Sequence, residues 1–548
     1  MEKKPEIKSV NGCKYWENTF ADFCVQVVKP ECDAITEIVN YGFMTPYLLV
    51  LEETKMSAEE VVEFADKTGL ASLAKPYGGT VVFVYPAGED GWSGAKADLF
   101  ASLISESKIG QYYEDGMIRE RNRFTGEWGG YYIRGALHRT VVFGYGASAD
   151  YLARNCMKTI EGDGLYGEGD ITPVTLVLEN LSVVPKPERR DMAVVSVANS
   201  EQINKALEEG VDHIRITDTA DYEKDFAFLK KYRRMVGKLE EETDSESLGL
   251  CMETGYAEVK TSKDNRGDDR ETVSHKIGYA AYYDKEKMEQ SDGLPLVMCF
   301  HGGGDSAMCM VCLTDWHKVA AKYGFLLVSV ENHMNSTATE AMELIEHIKK
   351  TYKVNTEKIY ATGFSMGGCK SWDLFQEYPS TFAAVAPMDA TFEVGLNAFA
   401  QPVERYNTDT ILPVFYVGGE DSPLPELPFQ EAKCLNRMAY VLRVNRTKKQ
   451  NHESFDAQEN WKNRIYSIDG DEILRAIDEN TGSVLTMHLF ESENGCCYSI
   501  FASASKQSHE MRHLNCENAW KYMSLFSRKE NGDIEGGDMK EVIRRMKE

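Results

Sequence analysis

Gly363-Phe364-Ser365-Met366-Gly367-Gly368 sets a serine among small residues, between a short apolar run and a segment of helical character. Lys358 to Thr362 is apolar and β-prone and reads as a buried strand, and Cys369 to Tyr378 reads as a helix stopped by Pro379. Strand, G-x-S-x-G, helix is the nucleophile elbow, in which a strained turn exposes the serine oxygen. The helix start turns its free N–H groups toward the reacting oxygen. A bare G-x-S-x-G is weak, so its surroundings carry the argument. Upstream, the strand-like run Leu294 to Phe300 ends in His301-Gly302-Gly303-Gly304. Such a turn supplies the second half of an oxyanion hole, so the N–H groups near Gly303 and Gly304, with that of Met366, are the expected oxyanion donors.

A serine nucleophile needs a base and an acid, which in this arrangement follow it in the order acid, then histidine. Leu412 to Val417 reads as a strand running into Gly418-Gly419-Glu420-Asp421, and Asp421 is the expected acid, with Asp389 and Glu420 as rivals. Four histidines follow the serine: His452, His488, His509 and His513. Cys497 to Ala502 reads as the last strand, and the base belongs on the loop after it. His509 lies there and is the expected base, with His513 as the alternative.

These residues need a scaffold of alternating strands and helices. Between the two glycine-rich turns, Trp316 to Tyr323 reads as a helix, Phe325 to Val330 as a strand and Thr339 to Tyr352 as a helix. Phe382 to Pro387 supplies a further strand. This alternation predicts an α/β fold, a mostly parallel sheet with helices on both faces and its loops for chemistry at the carboxyl ends of the strands. Ala257 to Val259 and Lys276 to Tyr279, flanking the charged stretch 263–271, read as a β-hairpin leading into the sheet.

The same residues resemble one branch of the α/β-hydrolase superfamily, the polyhydroxybutyrate-depolymerase and feruloyl-esterase-like serine esterases. The resemblance covers roughly residues 250–530 and rests on several stretches. They are Pro295-Leu296-Val297 with His301 to Gly304, Trp316 to Phe325, Lys358 to Gly368, Tyr378-Pro379, Phe382 to Pro387, and His509 to Arg528 with Ala519-Trp520 as the terminal helix. It implies a carboxylic ester hydrolase working through Ser365, Asp421 and His509, with a small-molecule or oligomeric ester as substrate and no metal or organic cofactor. Those enzymes are commonly secreted, and the polar opening of this chain, Met1 to Lys8, lacks a signal's apolar core, so a cytoplasmic location is expected. The long interval between Asp421 and His509 is read as an insertion at 424–495, with Trp461 to Ile465 and Ser483 to Glu491 as strand pieces, that would form a lid or cap.

The N-terminal half repeats the pattern in degenerate form. Leu73 to Val84 parallels Val319 to Val328, and Tyr47 to Leu51 takes the place of the strand before His301. Arg139 to Ser148 parallels the elbow strand, with Gly146 where the nucleophile would stand, and Phe226 through Tyr232 and Arg234 echo Trp520 to Arg528. Residues 1–235 are therefore expected to be a second, non-catalytic hydrolase-like module, and 236–548 the catalytic domain with a β-rich lead-in at 236–290. A homo-oligomer formed through the first module is compatible with this division. Gly162 to Gly167 matches G-x-G-x-x-G, but a strand-like segment follows instead of a helix, which argues against a dinucleotide site.

Composition narrows the partners. The chain of 548 residues carries 61 Lys and Arg against 87 Asp and Glu, a formal charge of −26, which disfavours nucleic acid. No apolar run is long enough to span a bilayer, so no membrane association is expected. Thirteen scattered cysteines do not read as a disulfide framework, and Cys309 and Cys312 lack a second pair at zinc spacing. A peptidase or thioesterase using the same triad, or a non-catalytic scaffold, are the competing functional readings.

Overall fold

The computed structural model describes the chain except for residues 1, 4–5, 104–110, 115–116, 121–135, 159–174, 234–238, 261–273, 304, 332, 334–335, 391–406, 425–426, 428–431 and 451–467. Several expectations fall outside the described residues: those for Gly304, the 162–167 glycines, the 263–271 stretch, Arg234, His452 and the 461–465 strand piece. The chain divides into two compact units, Met1–Thr243 and Asp244–Glu548.

In the first unit eight strands form the core of one sheet: β1 (Cys13–Thr19), β2 (Phe23–Pro30), β3 (Pro46–Leu51), β4 (Val81–Pro86), β5 (Ala136–Tyr145), β6 (Thr175–Glu179), β7 (Ala193–Val197) and β8 (His213–Thr217). Their order is β1-β2-β4-β3-β5-β6-β7-β8, with the short strand Lys8–Val10 added outside β1. β3 to β8 pair in parallel, and β2 runs antiparallel to both β1 and β4. The central strands are apolar on both faces, as a sheet covered by helices on each side requires. Leu49 and Leu51 enter one core with the helix Ala147–Asn155, while Leu48 and Val50 enter the other with the helices Ala58–Lys67 and Tyr222–Leu229.

In the second unit the strands are β9 (Cys251–Lys260), β10 (Ser274–Tyr283), β11 (Leu294–Phe300), β12 (Leu326–Val330), β13 (Val354–Phe364), β14 (Ala384–Met388), β15 (Val414–Gly419), β16 (Glu472–Ile477), β17 (Val484–Glu491) and β18 (Cys497–Ala504). Their order is β9-β10-β12-β11-β13-β14-β15-β18-β17-β16. Without β16 and β17 this is the order of the first unit, strand for strand. The predicted hairpin is β9 with β10, paired antiparallel along its full length.

Two expectations need correction. The described part of 424–495 forms no cap: Ala432–Val444 is the helix connecting β15 onward, and β16 and β17 extend the sheet antiparallel beyond β18. The apolar alternation of Val484 to Glu491 finds its partner in the backbone of the last core strand rather than over a pocket. The terminal helix is also shorter than expected: it spans His513–Met523, and Phe526–Arg528 pairs as a strand with Ile534–Gly536.

Candidate active site

Ser365 stands between β13 and the helix Met366–Glu377 with φ 51° and ψ −115°, a conformation L-residues rarely adopt. Its backbone N–H donates to Met388 O at 3.0 Å, tying the turn to β14. The flanking glycines are sterically required. A Cβ on Gly367 would stand 1.9 Å from Phe300 O, and one on Gly363 would stand 2.4 Å from the Gly367 carbonyl carbon. Only residues without side chains let strand and helix cross this closely.

The serine hydroxyl and His509 Nε2 are hydrogen-bonded at 2.9 Å across a sequence separation of 144 residues. His509 is buried, and its ring lies against Phe364, centroids 4.8 Å apart. Its loop is held by β15: Asp421 N–H donates to Gln507 O at 3.0 Å, and a Cβ on Gly419 would stand 2.2 Å from Ser508 O. His513, the alternative base, opens the helix His513–Met523 and faces Glu517, Nε2 to Oε2 3.6 Å. His488 lies within β17, where its Nδ1 accepts from Gly470 N–H at 3.2 Å.

The acid is where the sequence expectation and the geometry part. Asp421 is exposed, and among the described residues no hydrogen bond or ion pair joins its carboxylate to His509. A tight turn explains this: Ser422 N–H donates to Gly419 O at 3.3 Å, which leaves Asp421 at the outer corner and buries Ser422. Glu420 accepts from Ser503 Oγ at 2.8 Å. Asp389 is buried at the end of β14, at φ 43°, and accepts from Gly419 N–H at 2.7 Å.

Of the expected oxyanion donors, Gly303 and Met366 are adjacent, since a Cβ on Gly303 would meet Met366 Cγ at 3.4 Å. Gly302 lies against Phe364 and within 3.7 Å of Ser365 Cβ by the same measure. Met366 N–H belongs to the set that a helix start leaves without intrahelical acceptors.

A buried polar brace behind this turn was missed by sequence reasoning. His333 Nε2 donates to His301 O at 2.7 Å, His301 Nδ1 donates to Gly302 O at 2.7 Å, and Glu331 Oε1 accepts from Ala307 N–H at 2.9 Å. Burial pushes the His301 imidazole down to about 4 and that of His333 well below its usual range, so both are neutral at pH 7. The available signal was Glu331 and His333 just past the buried strand Leu326–Val330, at the end of the sheet where sites collect.

Strand order, elbow and crossing glycines make residues 244–548 an α/β-hydrolase fold, and the first unit has the same strand order. No family model matches the chain. Over 134 residues it is 25% identical to a bifunctional acetylxylan esterase/xylanase of Neocallimastix patriciarum, a match over 23% of this chain and 19% of that protein. The chain thus spans about a fifth of the length of the curated relative it matches. Solved structures similar to it include an S-formylglutathione hydrolase from Staphylococcus aureus, at 14% identity and TM-score 0.26 over 35% of this chain and 85% of that one. An acetyl xylan esterase from Aspergillus awamori matches at 10% identity and TM-score 0.29 over 47% and 94%.

Proposed function

We propose that the second unit is a serine hydrolase cleaving a carboxylic ester, with Ser365 as nucleophile and His509 as base. The observation that carries this reading is the 2.9 Å contact between His509 Nε2 and the Ser365 hydroxyl on a strained elbow. Nucleophile and base at hydrogen-bond distance, beside free helix N–H groups, are the parts of acyl transfer. His509 takes the serine proton as Oγ attacks the ester carbonyl, then returns it to the departing alcohol. The N–H groups of the Gly303 turn and Met366 hold the tetrahedral oxyanion, at about 3–4 kcal/mol per donor. Water, deprotonated by His509, then releases the acid. No step calls for a metal or organic cofactor.

Asp421 is the proposed acid, by a rotation of its exposed side chain toward the loop its own N–H already holds. Exposed side chains change rotamer within nanoseconds, so such a rotation is kinetically available. Met366 and Leu424 are among the large apolar side chains left exposed, and Met366 borders the serine, which favours an apolar acyl or aryl group. The first unit is proposed to be non-catalytic, because Gly146 stands at its elbow.

Hydrolysis of p-nitrophenyl esters from acetate to octanoate, by wild type and Ser365→Ala together, tests the reading. Wild-type turnover that disappears in the variant supports it, and turnover surviving unchanged in the variant rejects it. A parallel panel of thioesters and anilides separates esterase from thioesterase and peptidase.

A further inference from the structure

The carboxyl ends of the strands in the first unit carry a row of side chains that no catalytic role uses. Leu51 pairs with both Val84 and Gly144, and Glu179 pairs with Tyr145. Glu52, whose N–H donates to Val84 O at 2.9 Å and continues the ladder, therefore aligns with Tyr85 on one side and Tyr145 on the other. Across β4, β3, β5 and β6 the row reads Tyr85, Glu52, Tyr145, Glu179, at strand spacings of about 4.8 Å. Two positions back, Phe83, Val50, Phe143 and Val177 all lie in one core cluster, so alternation puts the whole row on that same face. Tyr222 joins it from the helix Tyr222–Leu229, its ring 5.1 Å from that of Phe143 and within electrostatic reach of Glu52 and Glu179.

Glu52 is the telling member. It is only 8% exposed, its Oε1 is fully buried, and among the described residues that oxygen accepts no hydrogen bond. An unsatisfied buried carboxylate oxygen is costly and calls for a donor. Burial and the neighbouring Glu53 push its carboxyl up to about 7, as expected of a negative charge that lacks a counter-ion. Nearby Asp225 is different, being buried against Arg215. Neither Glu52 nor Glu179 forms an ion pair among the described residues, where no group of three or more His, Cys, Asp or Glu suited to a metal ion occurs either.

We propose that this row is a binding site for a primary alkylammonium group. Its N–H donors satisfy Glu52 Oε1, Glu179 balances its charge from two strands away, and the rings of Tyr85, Tyr145 and Tyr222 line the path of the cation and its alkyl stem. Alternating carboxylates and aromatic faces are the chemistry that recognises an organic cation. The site lies at the end of the sheet where the second unit holds its serine. The first unit thus keeps the location of a hydrolase site and replaces acyl chemistry with amine recognition.

Calorimetric titration of the full chain with n-butylammonium, against butan-1-ol as neutral analogue, tests this. Saturable binding of the ammonium alone is expected, weakened at least tenfold in Glu52→Gln and in Tyr222→Leu, with ester hydrolysis by either variant unchanged. Tyr222→Leu changes a half-buried helix residue and serves if Glu52→Gln folds poorly. Absence of ammonium binding, equal binding of butan-1-ol, or full affinity retained in both variants would overturn the proposal. The readout is binding, so it fails or succeeds independently of the esterase reading.

Discussion

Ser365 and Gly146 occupy the same strained turn in the two units, at φ/ψ of 51°/−115° and 56°/−123°. Each backbone N–H is bonded to the end of the next strand, Ser365 to Met388 O at 3.0 Å and Gly146 to Glu179 O at 2.9 Å. The next two strand ends repeat the match: Asp389 N–H to Val417 O with Asn180 N–H to Val197 O, then Glu420 N–H to Ala504 O with Ala198 N–H to Thr217 O. The two units thus share the turn, with serine in one and glycine in the other.

This pairing makes a stability prediction with opposite signs. A non-glycine residue in such a turn costs about 1–3 kcal/mol, which glycine avoids. Ser365→Gly should therefore raise unfolding free energy by about 1 kcal/mol, whereas Gly146→Ser should lower it by a similar amount. Urea titrations of both variants check this, each read on the transition of its own unit.

The proposed catalytic residues should separate by effect size. Ser365→Ala and His509→Ala are each expected to lower kcat by about 10⁴-fold or more, and the double variant scarcely further, since the pair acts as one unit. Asp421→Asn should cost about 10²–10⁴-fold with KM little changed. Asp389→Asn should leave kcat within a few-fold, because an amide oxygen still accepts the Gly419 N–H and Asn tolerates positive φ. Steady-state kinetics on the four single variants and the double variant decide. The reverse order for the two aspartates would move the acid role to Asp389.

Gly367→Ala should be more damaging to folding than the loss of any of these. The added methyl would fall 1.9 Å from Phe300 O, on backbone that cannot yield without separating strand and helix. Destabilisation of about 3 kcal/mol or more is expected. Gly303→Ala meets only a flexible Met366 side chain at 3.4 Å and should fold normally. Circular dichroism melts of the two variants provide the comparison.

Much of this was legible in the sequence because local pattern and tertiary role coincide there. Leu294 to Phe300 is buried except at Pro295, so its apolar run names its strand, and the Gly363 to Gly368 spacing follows from the backbone crossing it permits. The acid was less legible, because whether Asp421 faces inward depends on a turn hydrogen bond that no residue type announces. Ser483 to Glu491 reads as a strand piece of a cap because alternation marks a strand but not its partner, which is the neighbouring sheet strand. In the first unit Arg234, the expected echo of Arg528, lies outside the described residues, next to Arg233. Arg233 is buried on the two-residue strand Tyr232–Arg233.

Arg528 forms no ion pair among the described residues; it donates to the carbonyls of Phe382, Gly532, Pro379 and Ile411 at 2.7–2.9 Å. Burial pulls its guanidinium down to about 10, still charged at pH 7. Lysine has one nitrogen and cannot span four acceptors, so Arg528→Lys should destabilise the second unit by about 3 kcal/mol. Denaturant unfolding checks the value, and retention of activity below the melt would show that the residue acts through the fold alone.

The brace behind the proposed oxyanion turn gives a prediction in pH. His301 and His333 are neutral in the folded protein, His301 down to about 4, while in the unfolded chain each takes up a proton near its ordinary value of 6.5. Between these pH values the unfolded state binds more protons, so stability from the pair is complete above about pH 6.5 and is lost as pH falls toward 4. Asp305, whose carboxyl burial pushes up to about 7, works in the opposite direction and flattens the wild-type profile. The readable quantity is therefore the stability difference between wild type and His333→Gln, measured by urea unfolding at pH 7 and pH 5. That difference should shrink by about 2 kcal/mol at the lower pH, at about 1.4 kcal/mol per pH unit for one proton. A difference that is constant, or that widens toward pH 5, would mean His333 is already charged in the folded state. The imidazole would then hold the His301 carbonyl as a cation, and the oxyanion turn would rest on a buried charge rather than on a neutral donor.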